Sequence, residues 1–236
     1  MNLAVWSGPR NLSTALMYSF AQRGDCDVWD EPFYAAYLSR TGLNHPLRDE
    51  IIASQDTHPE KVIAACTVPR DRVQYQKHMC QHMLDGDDLS WIAELQNVLL
   101  IRHPARVIAS YHAKRENPVS TDLGFERQAQ IFDLVAARGV EPIVVDATDI
   151  RANPKGMIEV LCTAIGIAFD PAMLNWPKGG NKNDGVWASH WYNAVHQSTG
   201  FAPPEQELPE LPNHLRPILD DCLPHYEKLA AVKLTA

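Results

Sequence analysis

Short apolar runs alternate along the chain with longer stretches whose apolar positions recur at helical spacing. Leu3–Trp6 is the first run, and it breaks at Ser7-Gly8-Pro9 before a helical stretch from Asn11 to Gln22. Asp27–Trp29 and Val73–Gln76 read as further strands, with a helix over His58–Cys66 between them that opens on Pro59. Asn97–Ile101, NVLLI, has the unbroken apolar character of a strand covered on both faces, and Pro104 opens the helix behind it. A helix over Glu126–Ala137 leads to another buried strand at Pro142–Asp146, and Pro154–Ile165 is helical again. Trp176–Asp184, rich in Gly, Asn and Lys, reads as a loop. Helical pieces at Val186–Gln197 and Leu211–Val232 flank a proline-rich connector, PPEQELPELP. Strands alternating with helices predict a three-layer α/β fold, with a mostly parallel central sheet flanked by helices. No composition break divides residues 1–236, so a single domain is expected.

Charge narrows the function classes. Lys and Arg number 21 against 29 Asp and Glu, a net charge of −8, which argues against a nucleic-acid partner because phosphate neutralisation needs a basic face. No apolar run nears the roughly 20 residues of a membrane span, and no signal-peptide core is present, so a cytoplasmic protein without a membrane partner is expected. Five cysteines occur singly with no C-x-x-C pair, which reads as buried reduced thiols and gives no metal site. Asp85, Asp87 and Asp88 beside Gly86 read as a turn or cap.

In an open parallel sheet, ligands bind beyond the carboxyl ends of the strands. Residues 6–15, WSGPRNLSTA, run from a strand through a glycine turn to two hydroxyls and a helix start, a pattern that suits an anion. A Walker A loop counted from Gly8 needs glycine at 13, lysine at 14 and a hydroxyl at 15, whereas the chain has Ser13, Thr14 and Ala15. At the end of a second strand stands Arg102, with Ser110 eight residues on; arginine presents a planar fork to phosphate and serine completes the shell.

These paired segments resemble the nucleotide-binding signatures of the sulfotransferases. PRNLSTA is similar to that family's PKSGTTW loop, with Arg10 in the lysine position, Leu12 in the glycine position and Ser13 and Thr14 in the threonine positions. Arg102 and Ser110 match its second signature, Asp149–Pro154 is similar to its E-D-L-x-x-x-P segment, and Trp176-Pro-Lys-Gly-Gly with Asp184–Trp187 resembles its late R-K-G…G-D-W loop. The resemblance implies a P-loop-type nucleotide fold and a sulfotransferase using 3′-phosphoadenosine 5′-phosphosulfate, without metal, and releasing adenosine 3′,5′-bisphosphate. Gly8, Pro9, Arg10, Asn11, Leu12, Ser13 and Thr14 would then hold the 5′-phosphosulfate. Arg102 and Ser110 would hold the 3′-phosphate, and Lys178, Gly179 and Trp187 would close over the nucleotide. The acceptor would be a small molecule or glycan with a hydroxyl or amine.

For chemistry, Arg10 is the expected cation on the leaving phosphate. Gln76-Lys77-His78 resembles the K-x-H segment of the small-molecule enzymes, which implies His78 as base and Lys77 as its assistant. Glu31, in WDEPF, lies where the tyrosyl-protein enzymes carry a glutamate base and is the rival; position favours His78. The cluster Trp187, His190, Trp191 and Tyr192 reads as a partly buried helix face, with an acceptor-pocket wall as its other reading. An atypical nucleotide kinase or hydrolase, with Asp146 as its metal-holding acid, and a non-catalytic nucleotide-binding protein are the alternatives.

Overall fold

Five parallel strands make one sheet in the computed structural model, which describes residues 1–113 and 118–236. They are β1 (Asn2–Ser7), β2 (Cys26–Asp30), β3 (Val73–Met79), β4 (Gln96–Ile101) and β5 (Ile143–Asp146), in the spatial order β2-β3-β1-β4-β5. Helix α1 (Ser13–Phe20) follows β1, and α2 (Tyr34–Thr41), α3 (Arg48–Ser54) and α4 (Pro59–Thr67) fill the passage from β2 to β3. Between β4 and β5 come α5 (Pro104–His112), α6 (Ser120–Leu123) and α7 (Phe125–Ala136). After β5 the chain forms α8 (Ala147–Ala152), α9 (Pro154–Ala164), α10 (Ala188–Trp191), α11 (Asn193–His196) and α12 (Arg216–Ala230).

Period-two alternation sorts the strand side chains into two cores. Leu3, Val5, Tyr75, Val98 and Leu100 face Leu16, Met17 and Phe20 of α1 and Met157, Ile158 and Leu161 of α9. Ala4, Trp6, Leu99 and Ile101 face Val62 of α4, Ala129, Ile131 and Val135 of α7, and Leu229 of α12. Each such apolar side chain contributes about 1.5–3 kcal/mol on burial, and together they bind helices to both faces of the sheet. All five cysteines are buried free thiols. Among the described residues, no helix is long and apolar enough to cross a membrane.

Two departures from the sequence pattern bear on function. The expected helix over 186–197 is broken into the one-turn helices α10 and α11. The third strand does not stop at Gln76 but continues to Met79, pairing with β1 through Trp6↔His78 and Ser7↔Met79. Lys77 and His78 are therefore strand residues, and alternation sends their side chains to opposite faces.

Candidate active site

The chain leaves β1 toward β2 and leaves β4 toward β5, so the neighbouring strands β1 and β4 part at their carboxyl ends. This is a topological switch point, where open α/β sheets place ligands. A cleft of about 700 Å³ lies at these strand ends, lined by residues 9–15, Glu31, Lys77, Arg102 and Ser110, with Tyr34, His45, His82, Trp191 and Tyr192 among its other walls.

The loop after β1 is shaped as an anion cradle. Arg10 (φ 63°) and Leu12 (φ 72°) both hold the left-handed conformation, the backbone setting in which anion-binding N–H concavities form. Leu12 stands at the start of α1, where a leucine side chain has no acceptor to offer and makes no capping bond. Its first-turn donors suit an anionic ligand. Gly8 is demanded by sterics: a Cβ there would lie 2.1 Å from the Leu123 carbonyl oxygen. Asn11 is buried and ties the loop to the Leu100 carbonyl at 3.4 Å.

Arg10 reaches along the cleft, its Nε donating to Ser110 Oγ at 2.9 Å. Arg102 Nη1 donates to the Arg10 carbonyl at 2.6 Å. The sequence separated Arg10 from Arg102 and Ser110, at opposite ends of a nucleotide; the structure joins all three in one cluster. Burial, and then the neighbouring Arg102 charge, pull the Arg10 guanidinium below its ordinary pKa, and among the described residues no carboxylate offsets them.

Beyond β2 and β3 lies a buried charge cluster. Lys77 Nζ donates to Asp30 Oδ1 at 2.9 Å, to Glu31 Oε1 at 2.5 Å and to Tyr192 Oη at 2.6 Å. Tyr192 in turn donates to Asp30, with Oδ1 and Oδ2 at 2.9 and 2.8 Å, and accepts from Trp187 Nε1 at 3.0 Å. Burial depresses the Lys77 ammonium, but Asp30 and Glu31 outweigh it and its pKa ends above the ordinary value. Burial likewise lifts the Glu31 carboxyl above the carboxylate range, against the pull of Lys77 and with Asp30 adding to the rise. Glu31 Oε2 faces His82 Nε2 at 3.9 Å, and the His82 ring is stacked between Tyr34 and Tyr37. Glu31 itself has φ 42°, a strained conformation of the kind that collects at functional sites.

His78 does not join this group. It lies on the opposite face of the sheet, 1% exposed, stacked on Trp6 at 4.3 Å and hydrogen-bonded through Nε2 to Gln76 Oε1 at 3.0 Å. Burial lowers its pKa to about 3. A histidine kept neutral in the fold but protonated near pH 6.5 when unfolded destabilises the protein as pH falls from about 6.5 toward 3, by about 2 kcal/mol at pH 5. Denaturant unfolding from pH 7 to 4 should show this slope, and His78→Asn should flatten it; identical slopes would contradict a neutral buried ring.

Lys178, Gly179 and Trp187 are also not at the cleft wall. Lys178 is exposed and Gly179 N–H donates to the His196 carbonyl at 2.8 Å. Trp187 is 1% exposed and packs edge-on against Tyr34, so it serves as a strut for Tyr192 and offers no stacking platform. Asp146, the acid of the kinase alternative, caps α8 by accepting from Thr148 N–H and takes the Tyr226 hydroxyl at 2.9 Å, outside the cleft lining. Sequence reasoning passed over Asp30 and His82, and it gave Tyr192 an acceptor-wall reading without its bonds to Lys77 and Asp30. Asp30 adjoined the chosen Glu31, and two-residue alternation from Tyr75 already put Lys77, not His78, on the α1 face.

The sulfotransferase domain family matches residues 1–233. Two Arabidopsis thaliana proteins, branched-chain-amino-acid aminotransferase-like proteins 2 and 1, are 35% and 36% identical over 95% of the chain. The chain spans only 40% of their length. In fold it is similar to the sulfotransferase domain of the olefin synthase from Synechococcus PCC 7002, with TM-score 0.52, 17% identity and 93% of each chain covered. It is also similar to a sulfotransferase from Alicyclobacillus acidocaldarius, with TM-score 0.55, 10% identity and 98% and 94% of the two chains covered. With the anion cradle at the switch point and the match over nearly its whole length, the chain belongs to the sulfotransferase domain family.

Proposed function

We propose that the chain transfers a sulfuryl group from 3′-phosphoadenosine 5′-phosphosulfate to a hydroxyl or amine of a small-molecule or glycan acceptor. One observation carries this reading: the anion cradle and the buried Glu31–Lys77 pair open into the same cleft. The donor supplies an activated sulfuryl group whose phosphate is the leaving group. The cradle's N–H groups, with the Ser13 and Thr14 hydroxyls, bind the 5′ anion. Arg10, which pairs with no carboxylate among the described residues, adds the compensating cation. Glu31 is the base. Its Oε1 is engaged by Lys77, which leaves Oε2 to take the acceptor's proton. Lys77 stands beside it as a fixed positive charge for the sulfuryl oxygens. Tyr34, His82, Trp191 and Tyr192 wall the acceptor side and exclude water.

Thermal unfolding with different nucleotides tests the donor assignment. Adenosine 3′,5′-bisphosphate at a hundred times its Kd should stabilise the protein by about 2.7 kcal/mol, a rise of roughly 5–10 °C in Tm, and should do so in EDTA. AMP at the same concentration should do much less. Equal shifts from AMP, or a shift only from ATP with Mg²⁺, would move the assignment to another nucleotide chemistry.

A further inference from the structure

Arg102 is one of three guanidiniums gathered around a single carboxylate, Glu205. Glu205 belongs to the proline-rich stretch 201–212, which has no regular structure before the turn at Asn213 and is mostly exposed, yet its side chain is only 2% exposed. Its Oε1 takes Arg102 Nη2 in a short ion pair and Arg151 Nη1 at 2.6 Å. Its Oε2 takes Arg106 Nε at 3.2 Å, Arg102 Nε at 3.5 Å and the Thr148 hydroxyl at 3.0 Å. Main-chain contacts fasten the same stretch: Arg151 Nε donates to the Pro203 carbonyl at 2.8 Å, and Arg106 donates to the Gln206 and Glu207 carbonyls. Burial works against the Glu205 carboxylate, but Arg102, Thr148 and Arg151 outweigh it and hold its pKa below the usual range.

Two consequences follow from the geometry. The fork of Arg102, Nε with Nη2, is spent on Glu205, and its remaining Nη1 is spent on the Arg10 carbonyl, although Arg102 lines the cleft. Among the described residues, Glu205 is the one carboxylate paired with these three cations, which leaves two positive charges uncompensated there. A phosphomonoester, carrying about −1.5 to −2 near neutral pH, satisfies such a cluster better than one carboxylate can.

Resting on the donor reading above, we propose that Glu205 is a tethered competitor for the donor's 3′-phosphate. The phosphate takes the fork of Arg102 only as Glu205 leaves it, with Arg106 and Arg151 completing the phosphate shell and the 201–212 stretch released. Glu205 thereby sets how strongly the protein distinguishes a 3′-phosphorylated nucleotide from one without that group.

The test is calorimetric titration of the full chain and of Glu205→Gln with adenosine 3′,5′-bisphosphate and with AMP. Glu205→Gln should bind the bisphosphate roughly ten- to a hundredfold more tightly and AMP within about twofold of the parent. A gain in affinity cannot come from misfolding, and adding Arg102→Ala should abolish it. In the unaltered protein, the bisphosphate should speed proteolytic cleavage within 201–212, whereas AMP should not. Unchanged or weaker bisphosphate binding by Glu205→Gln, or a stretch no more open to protease when the bisphosphate is bound, overturns the proposal. If the parent still prefers the bisphosphate over AMP in that event, the donor reading survives; if neither protein distinguishes the two, both fall.

Discussion

Glu31→Gln should lower turnover by about 10²–10⁴-fold while donor affinity stays nearly unchanged, because a base touches the acceptor's proton and not the nucleotide. The amide keeps the size of the side chain and an oxygen for Lys77 Nζ, which Glu31 Oε1 now accepts at 2.5 Å. It removes only the capacity to take a proton at the second oxygen. Since burial raises the Glu31 pKa, parent turnover should fall as pH drops through a value above the ordinary carboxylate range, and the variant should lack that limb. Steady-state rates and bisphosphate titration on the same preparations separate the two effects. Full turnover in Glu31→Gln with a confirmed acceptor would remove Glu31 from the chemistry. By contrast, His78→Asn should change stability and leave the rate largely alone, since His78 lies behind the sheet.

Lys77→Ala should cost about 3–5 kcal/mol of folding free energy, read as a lowered denaturation midpoint. The substitution leaves Asp30 and Glu31 as adjacent carboxylates in a dry site, and an uncompensated buried charge costs far more than the intact pair contributes. The sign with pH follows from the direction of the Glu31 shift. A carboxyl whose folded pKa lies above its unfolded value favours folding in its protonated form, and that contribution fades as pH rises through the folded pKa. Without Lys77 the upward shift deepens, so the deficit of Lys77→Ala should be larger at pH 8 than at pH 5. A deficit near zero, or one independent of pH, would mean that water reaches the cluster and the two acids are not buried together.

Much of the architecture was legible because buried parallel strands have an unmistakable sequence form. NVLLI and PIVVD are continuous apolar runs that end at a charged residue, and each is a strand of the sheet within a residue or so. The cradle was legible for a related reason: a strand end, a glycine and two hydroxyls are contiguous in sequence. What the chain did not disclose is tertiary. Tyr192 lies 115 residues from Lys77, and Glu205 lies 103 residues from Arg102, and no local pattern announces either partner. His78 was misplaced for a local cause: ending β3 at Gln76 left Lys77 and His78 in a loop, free to converge, whereas two more ladder pairs commit them to opposite faces. Helix α8 went unread because it starts directly after β5 with no turn residue between, relying on Asp146 as its cap.

Three residues of the cleft, Arg10, Leu12 and Glu31, hold positive φ without being glycine, and such conformations cost of order 1–3 kcal/mol each. The surrounding sheet and helices bear that cost whether or not anything is bound. On the proposed donor reading, the 5′ anion would therefore meet a mould already set and give up little binding energy to shape it. At the other end, around Glu205, a phosphate has to exchange with an internal anion before it can dock. The two ends of one nucleotide would thus be governed by opposite mechanics, rigid reception at the first and substitution at the second, and the substitution would pace both arrival and departure.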